Sequence, residues 1–196
     1  GQCTFGNVTV ELCEGFKEFL LNDAVNRRDG QPLNVNTASA YYCMLKCCIK
    51  DAFKAKKMKQ NPLDYLDKIP EKPTKRPYMT KEEVLRLKDA QCQYDVLKRA
   101  SMFAILTGLR RSDIMTLRWE DIHIAPDGGP CITKKIVKAD REEVIYISDE
   151  ALSYCGPRYD KGIVFSGLTK NMTNGPLKRW LKSADIDKSI TFHCFR

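Results

Sequence analysis

A chain of 196 residues, 43% hydrophobic and 30% charged, carries enough apolar material for a buried core and enough length for two small domains. Its net charge of +8 favours a polyanionic partner, with nucleic acid ahead of an acidic membrane surface. No stretch reads as a signal peptide and no apolar run approaches membrane-spanning length, so no membrane association is expected.

Nine cysteines could suggest a disulfide framework, but the number is odd and Cys47 and Cys48 are adjacent. Most fall inside apolar helical patterns, as at Cys13, Cys43 and Cys92, so reduced and buried thiols are expected. No CxxC pair is present and the only histidines are His123 and His193, so neither a metal site nor a cofactor is expected.

Taken in order, Thr9 to Val25 reads as an amphipathic helix with Val10, Cys13, Phe16, Phe19 and Leu20 on one face. Gly30-Gln31-Pro32 breaks it, and a second helix starts near Asn36-Thr37, a good capping pair. Its apolar stripe is Ala38, Tyr42, Leu45, Ile49, Ala52 and Phe53. The other side carries Lys46, Lys50, Lys54 and Lys57, a spacing that stacks along a helix face. Such a run is either a solvated face or a surface for a DNA backbone, where phosphates relieve the repulsion between unbalanced lysines. Asn61-Pro62-Leu63 opens a short helical segment that ends near Lys68.

The stretch IPEKPTKRPY, from Ile69 to Tyr78, holds three prolines among charged residues and predicts an extended connector. Residues 1–69 form one helical domain, 70–78 the linker and 79–196 a second domain. Lys72, Lys75 and Arg76 could lie against a nucleic-acid backbone.

Thr80-Lys81-Glu82-Glu83 is a capping-box pattern and opens a helix to about Cys92. The next helix carries Val96, Leu97, Ala100, Phe103, Ala104 and Leu106 into Thr107-Gly108. Gly108 permits a tight turn, and the chain restarts as a helix at Arg111-Ser112-Asp113. Arg110 is thereby forced between two buried helices. A guanidinium there meets either a carboxylate such as Asp113, a helix end, or a phosphate. Pro126 to Pro130 makes a turn, and Cys131–Val137 and Glu143–Ile147 read as two strands joined through Lys138-Ala139-Asp140-Arg141. Ile163-Val164-Phe165 reads as a third short strand, and Lys178 to Leu181 lies in a helix. Trp119 and Trp180 are expected in the core, and His123 in a strand-entry turn. The fold class is mainly α, with a small antiparallel β-sheet inserted in the second domain.

With these residues in view, the chain resembles the tyrosine recombinases of the phage-integrase family, and most of all the integrases of Bacteroides-type mobile elements. The resemblance spans nearly the whole chain: a helical, SAM-like core-binding domain, a proline-bearing linker and a catalytic domain opening on a Thr-x-Glu-Glu helix. Thr107-Gly108-Leu109-Arg110-x-x-Asp113 matches the first-arginine box. Lys138 matches the hairpin lysine, and His193-Cys194-Phe195-Arg196 matches the box that carries the second arginine.

The resemblance implies that a phosphotyrosine transiently replaces a phosphodiester, without metal or external energy. Arg110 and Arg196 would clamp the non-bridging oxygens of the pentavalent transition state. Asp113 would orient Arg110 or support its turn, and His193 would stand beside the scissile phosphate on the same helix face as Arg196. Lys138, with Lys135 as the alternative, would protonate the departing 5′ oxygen. DNA-binding residues would be Lys46, Lys50, Lys54, Lys57, Lys75 and Arg76. The implied partners are double-stranded DNA attachment sites and further copies of the chain assembled on DNA, in a bacterial cytoplasm at the nucleoid.

The family nucleophile is a tyrosine beyond the His-x-x-Arg box, whereas all eight tyrosines here precede Arg196. A truncated, and therefore inactive, recombinase is expected on that ground. Two other readings remain at this level: a DNA-binding protein using the fold for recognition only, and a type IB topoisomerase relative with the same chemistry and a different product.

Overall fold

The structure is a computed structural model that describes residues 4–136 and 141–195, apart from the side chains of 134–136, 141 and 142. The chain divides into two compact units, Gly1–Lys75 and Arg76–Arg196.

The first unit holds α1 (Val10–Asn22), α2 (Val35–Lys54) and a 3-10 turn, Pro62–Tyr65. Thr9 caps α1 by accepting the Leu12 N–H at 3.2 Å, and Asn34 caps α2 by accepting the Asn36 N–H at 2.9 Å. Two apolar clusters bind the helices: Cys13 with Ile49, Ala52, Met58 and Leu66, and Leu20 with Ala24, Ala38, Tyr42 and Ile69. Phe19, expected on the buried face, is 50% exposed. At 100° per residue it stands about a third of a turn from Cys13 and Leu20, outside the strip that one neighbouring helix can cover. The expectation of buried cysteines holds for Cys13, Cys131 and Cys155 and fails for Cys43, Cys47 and Cys48, which are exposed. These three alternate with the apolar stripe of α2 and do not belong to it.

The connector follows α2 before it leaves. The Ser39 hydroxyl donates to the Ile69 carbonyl at 3.1 Å. The Asn36 side-chain amide donates to the Lys72 carbonyl at 2.9 Å and accepts the Lys72 N–H at 2.8 Å. Residues 71–78 are exposed and form no regular structure.

The second unit contains α3 (Lys81–Asp89), α4 (Asp95–Thr107) and α5 (Arg111–Met115). After them come β1 (Ile122–Ile124), β2 (Pro130–Ile136) and β3 (Arg141–Tyr146), then α6 (Asp149–Ser153), α7 (Gly175–Ser183) and a 3-10 turn, Phe192–Phe195. The capping box forms as expected: the Glu83 N–H reaches Thr80 Oγ1 at 3.3 Å and the Thr80 N–H reaches Glu83 Oε2 at 2.7 Å.

The sheet is antiparallel in the order β1-β2-β3, with Ile122 opposite Ile132 and Lys135 opposite Glu142. Its third strand is β1, not the expected Ile163–Phe165. That segment makes only an isolated bridge to Arg118, because Val164 and Phe165 are buried as core residues. Phe165 packs on Phe103 with ring centroids 5.2 Å apart. His123 consequently lies in a strand and not in a turn. Trp119 and Trp180 are buried with Leu97, Phe103, Ile114 and Leu177 in one core.

Candidate active site and basic surface

The Arg110 position follows from the two elements that flank it. Gly108 takes a left-handed conformation, φ 67°, and closes α4 by donating its N–H to the Ala104 carbonyl at 2.9 Å. The Thr107 hydroxyl donates back to the Phe103 carbonyl at 2.7 Å. Leu109 is then drawn into the core. Arg110, extended at φ −72° and ψ 153°, becomes the N-cap of α5, its carbonyl accepting the Asp113 and Ile114 N–H groups at 2.9 and 3.0 Å. Leu109 on one side and Ile114 on the other are buried, and Arg110 is left exposed. Among the described residues its guanidinium has no hydrogen-bond or ion-pair partner.

His193 is held by a different device. Phe192 and Phe195 are buried on either side of it, with ring centroids 5.4 Å apart and edge to face. The Cys194 N–H closes the turn on the Thr191 carbonyl at 2.8 Å. The turn is 3-10 through Phe195, tighter than the expected α-helix.

Arg110 and His193 line one pocket of about 440 Å³, together with Arg111, Lys170, Thr173 and Thr191. Arg111 Nη1 donates to Thr173 Oγ1 at 3.1 Å, and that hydroxyl donates onward to the Lys170 carbonyl at 2.8 Å. Thr173 is 4% exposed, so this short chain of bonds fixes one wall. No carboxylate and no tyrosine is among the described residues that line it. A pocket lined by Arg110, Arg111, Lys170 and His193, with no acid among its described residues, suits an oxyanion. Arg111, Lys170 and Thr173 were not singled out from the sequence. Arg111 could have been, as a second cation beside Arg110, whereas Lys170 sits in a loop without a periodic signal.

Lys138 and Arg196 lie outside the described residues. Lys135 is in β2, and its side chain also lies outside the description.

On the first unit the expected row of lysines is shorter than its spacing suggests. The Lys46 ammonium donates to the Leu66 carbonyl at 3.0 Å and lies 6.0 Å from the Tyr42 ring centre, so it ties the 3-10 turn's exit to α2. Lys57 falls beyond the end of α2 at Lys54, after Lys56 at φ 56°, and its ammonium lies 5.9 Å from the Phe5 ring centre. Lys50 and Lys54 remain exposed on the helix, and Lys75 and Arg76 on the connector.

A model of the phage integrase SAM-like domain matches residues 1–69, and one of the phage integrase family matches residues 77–196. Among solved structures, the chain aligns over 100% of its length with 71% of a lambda integrase(75-356) dimer bound to a COC′ core site, at a TM-score of 0.71 and 18% identity. It is similar over 97% of its length to 58% of the XerH site-specific recombinase bound to difH substrate, at a TM-score of 0.63 and 13% identity. A lambda integrase tetramer bound to a Holliday junction matches over 96% of this chain and 71% of its own, at a TM-score of 0.56 and 17% identity. Against a further lambda integrase dimer the chain spans 55% of that protein's length. No curated protein matches it. At these identities the structural likeness is one of fold, but the two family models meet both units in the same order, and the chain belongs to the phage integrase family of tyrosine recombinases.

Proposed function

We propose that this chain is the DNA-gripping and phosphate-clamping part of a site-specific recombinase acting on duplex attachment sites in a bacterial cytoplasm. One observation carries the reading: Arg110 and His193, far apart in the sequence of the second unit, line one pocket with no acid among its described residues, in which Arg110 has no described partner. An unpaired guanidinium in a shaped cationic pocket is ready for the charge that develops on a phosphoryl group. The scissile phosphate would sit between Arg110 and His193. Arg196 would complete the clamp, and Lys138, or else Lys135, would protonate the leaving 5′ oxygen. Lys50, Lys54, Lys75 and Arg76 would hold flanking phosphates, with Lys57 at the margin and Lys46 serving the fold first.

The division 1–69, 70–78 and 79–196 would then separate DNA grip from chemistry. Copies of the chain would assemble on DNA, as the lambda integrase dimers and tetramer do on theirs. The attacking tyrosine would not be among the eight in this stretch, since none lines the pocket.

A reaction that dispenses with the tyrosine tests the clamp. In a nicked duplex, a 3′-p-nitrophenyl phosphate faces a free 5′-hydroxyl, with flanking sequences randomised as a pool. The hydroxyl oxygen attacks phosphorus, a new P–O bond joins the strand, and p-nitrophenolate leaves with the bonding pair while the hydroxyl proton passes to solvent. The chain should speed this joining, and Arg110→Ala and His193→Ala should each remove most of the gain. Joining indifferent to both substitutions, or a covalent protein–DNA adduct formed by these 196 residues, would overturn the reading.

A further inference from the structure

Cysteine is among the most buried residue types, yet α2 exposes Cys43, Cys47 and Cys48 to solvent. Cys43 and Cys47 are one helical turn apart, a spacing that stands two side chains side by side. Lys50 and Lys54 continue the same row by steps of three and four. The thiols and the two exposed lysines therefore share one face of α2, opposite the buried Ala38, Tyr42 and Ile49.

The two thiols interact. The Cys43 side chain is the largest influence on Cys47, and together with desolvation, a Cys43 hydrogen bond, Asp51 and Cys48 it holds the Cys47 thiol above its ordinary range. Cys47 is thus held as a thiol and not as a thiolate standing ready for oxidation. Nor does it suit a disulfide: helix neighbours one turn apart have Cβ atoms about 5–6 Å apart, whereas a disulfide needs roughly 3.5–4.5 Å. A metal inserted between the sulfurs bridges the longer gap, because each metal–sulfur bond adds about 2.3 Å. Among the described residues no group of three or more His, Cys, Asp or Glu is placed to hold a metal, so zinc, which takes four ligands, finds no set here. A soft ion content with two thiolates does.

We propose that Cys43 and Cys47 form a two-thiolate site for a soft monovalent metal of the Cu(I) class, and that its occupation weakens DNA binding through α2. The second half rests on the reading of the Lys50–Lys54 face as a DNA surface. On binding, both S–H bonds break, two S–Cu bonds form and two protons go to buffer; copper stays Cu(I) throughout. Two neutral thiols become a bis-thiolate carrying one net negative charge. That charge sits in the row with Lys50 and Lys54, where a phosphate would have to approach.

The reduced chain, titrated without oxygen with Cu(I) against a chromogenic Cu(I) chelator, should take up a first equivalent tightly. Cys43→Ser/Cys47→Ser should lose that equivalent, and Cys48→Ser should keep it. Retention in the double variant overturns the site. Loading the wild-type chain should lower affinity for duplex DNA roughly three- to tenfold and flatten the salt dependence by about one unit, as loss of one cationic contact would. Hg(II), whose bis-thiolate is neutral, should change the slope less. Copper that binds the pair and leaves DNA affinity untouched overturns the coupling. The metal-free chain separates the two claims. If its DNA affinity ignores Lys50→Ala/Lys54→Ala, the DNA-surface reading has failed, whereas the first equivalent of copper reports on the thiol pair alone.

Discussion

The two basic regions of this molecule were assembled in opposite ways. The pocket around Arg110 draws its cations from segments far apart in sequence, and its shape comes from the core beneath it. The lysine face of α2 is laid out by helical periodicity, and the packing around the helix then decides which of its lysines stay free. The contrast shows in what each cation does. Arg110, seated between buried Leu109 and Ile114, has no described partner, while Lys46, the first of its row, is spent on the Leu66 carbonyl. Spacing identifies a row of charges, but only packing says which members are available.

The largest test of this contrast removes the support under the pocket. Phe192→Ala deletes one of the two rings that hold the His193 turn, and should cost about 3–5 kcal/mol of stability in a denaturant titration. A loss under about 1 kcal/mol would mean that the turn is not anchored through that ring. Next, Arg110→Ala should slow the p-nitrophenyl joining reaction by roughly 10²–10³-fold, the cost of removing one charge-stabilising donor, while the melting temperature stays nearly unchanged because the side chain is exposed. Should the protein melt markedly earlier, Arg110 would be a structural arginine after all.

On the other region, Lys50→Ala/Lys54→Ala should flatten log affinity against log salt by roughly two units without altering stability. Lys46→Met should do the reverse, lowering stability by roughly 1–3 kcal/mol with little change in slope, because it strips a charge-assisted bond from the fold. Equal slopes for the two variants would erase the distinction drawn here.

The smallest effect concerns acid. The Lys188 ammonium, 2.8 Å from the Glu83 carboxylate, and then the Thr80 N–H hold Glu83 below its ordinary range. A carboxyl with a depressed folded value adds stability above its unfolded value and loses it as pH falls through the folded one. Glu83→Gln should therefore make the second unit less stable at neutral pH and flatten its decline on acidification. A variant whose decline between neutrality and pH ~3 parallels the wild type would show that other carboxylates carry the acid sensitivity.

Much of this was legible in the sequence because the signals were local. The Thr80 box and the Gly108 turn depend on residues three or four apart, and each formed, whereas α2 is capped by Asn34, two residues ahead of the expected Asn36-Thr37 pair. Arg110 was legible too, since a glycine turn between two apolar runs leaves that residue little choice. Lys170 and Thr173 were not, because their place beside Arg110 depends on how α7 and its preceding loop pack. Nor could periodicity foresee that Val164 and Phe165 would serve as core plugs while Ile122–Ile124 supplied the strand. A three-residue apolar run satisfies either role, and only the available sheet edge decides. The exposed thiols escape notice for a related reason: cysteine counts as apolar, so Cys43 is expected to be buried within an apolar helical pattern although it lies outside the stripe of Ala38, Tyr42, Leu45, Ile49, Ala52 and Phe53.

The reciprocal bonds between Asn36 and Lys72 bear on how the chain can articulate. They carry the connector's first residues along as part of the helical unit, so the pivot begins only at Pro73. Pro73 and Pro77 have fixed φ, and Lys72 and Arg76, each preceding a proline, are confined to extended backbone. Between these two prolines, Thr74 and Lys75 alone keep an ordinary choice of conformation. What looks like a tether of charged residues is mechanically an elbow with a two-residue joint, so inserting residues at Thr74 would loosen that joint far more than recolouring its charges would.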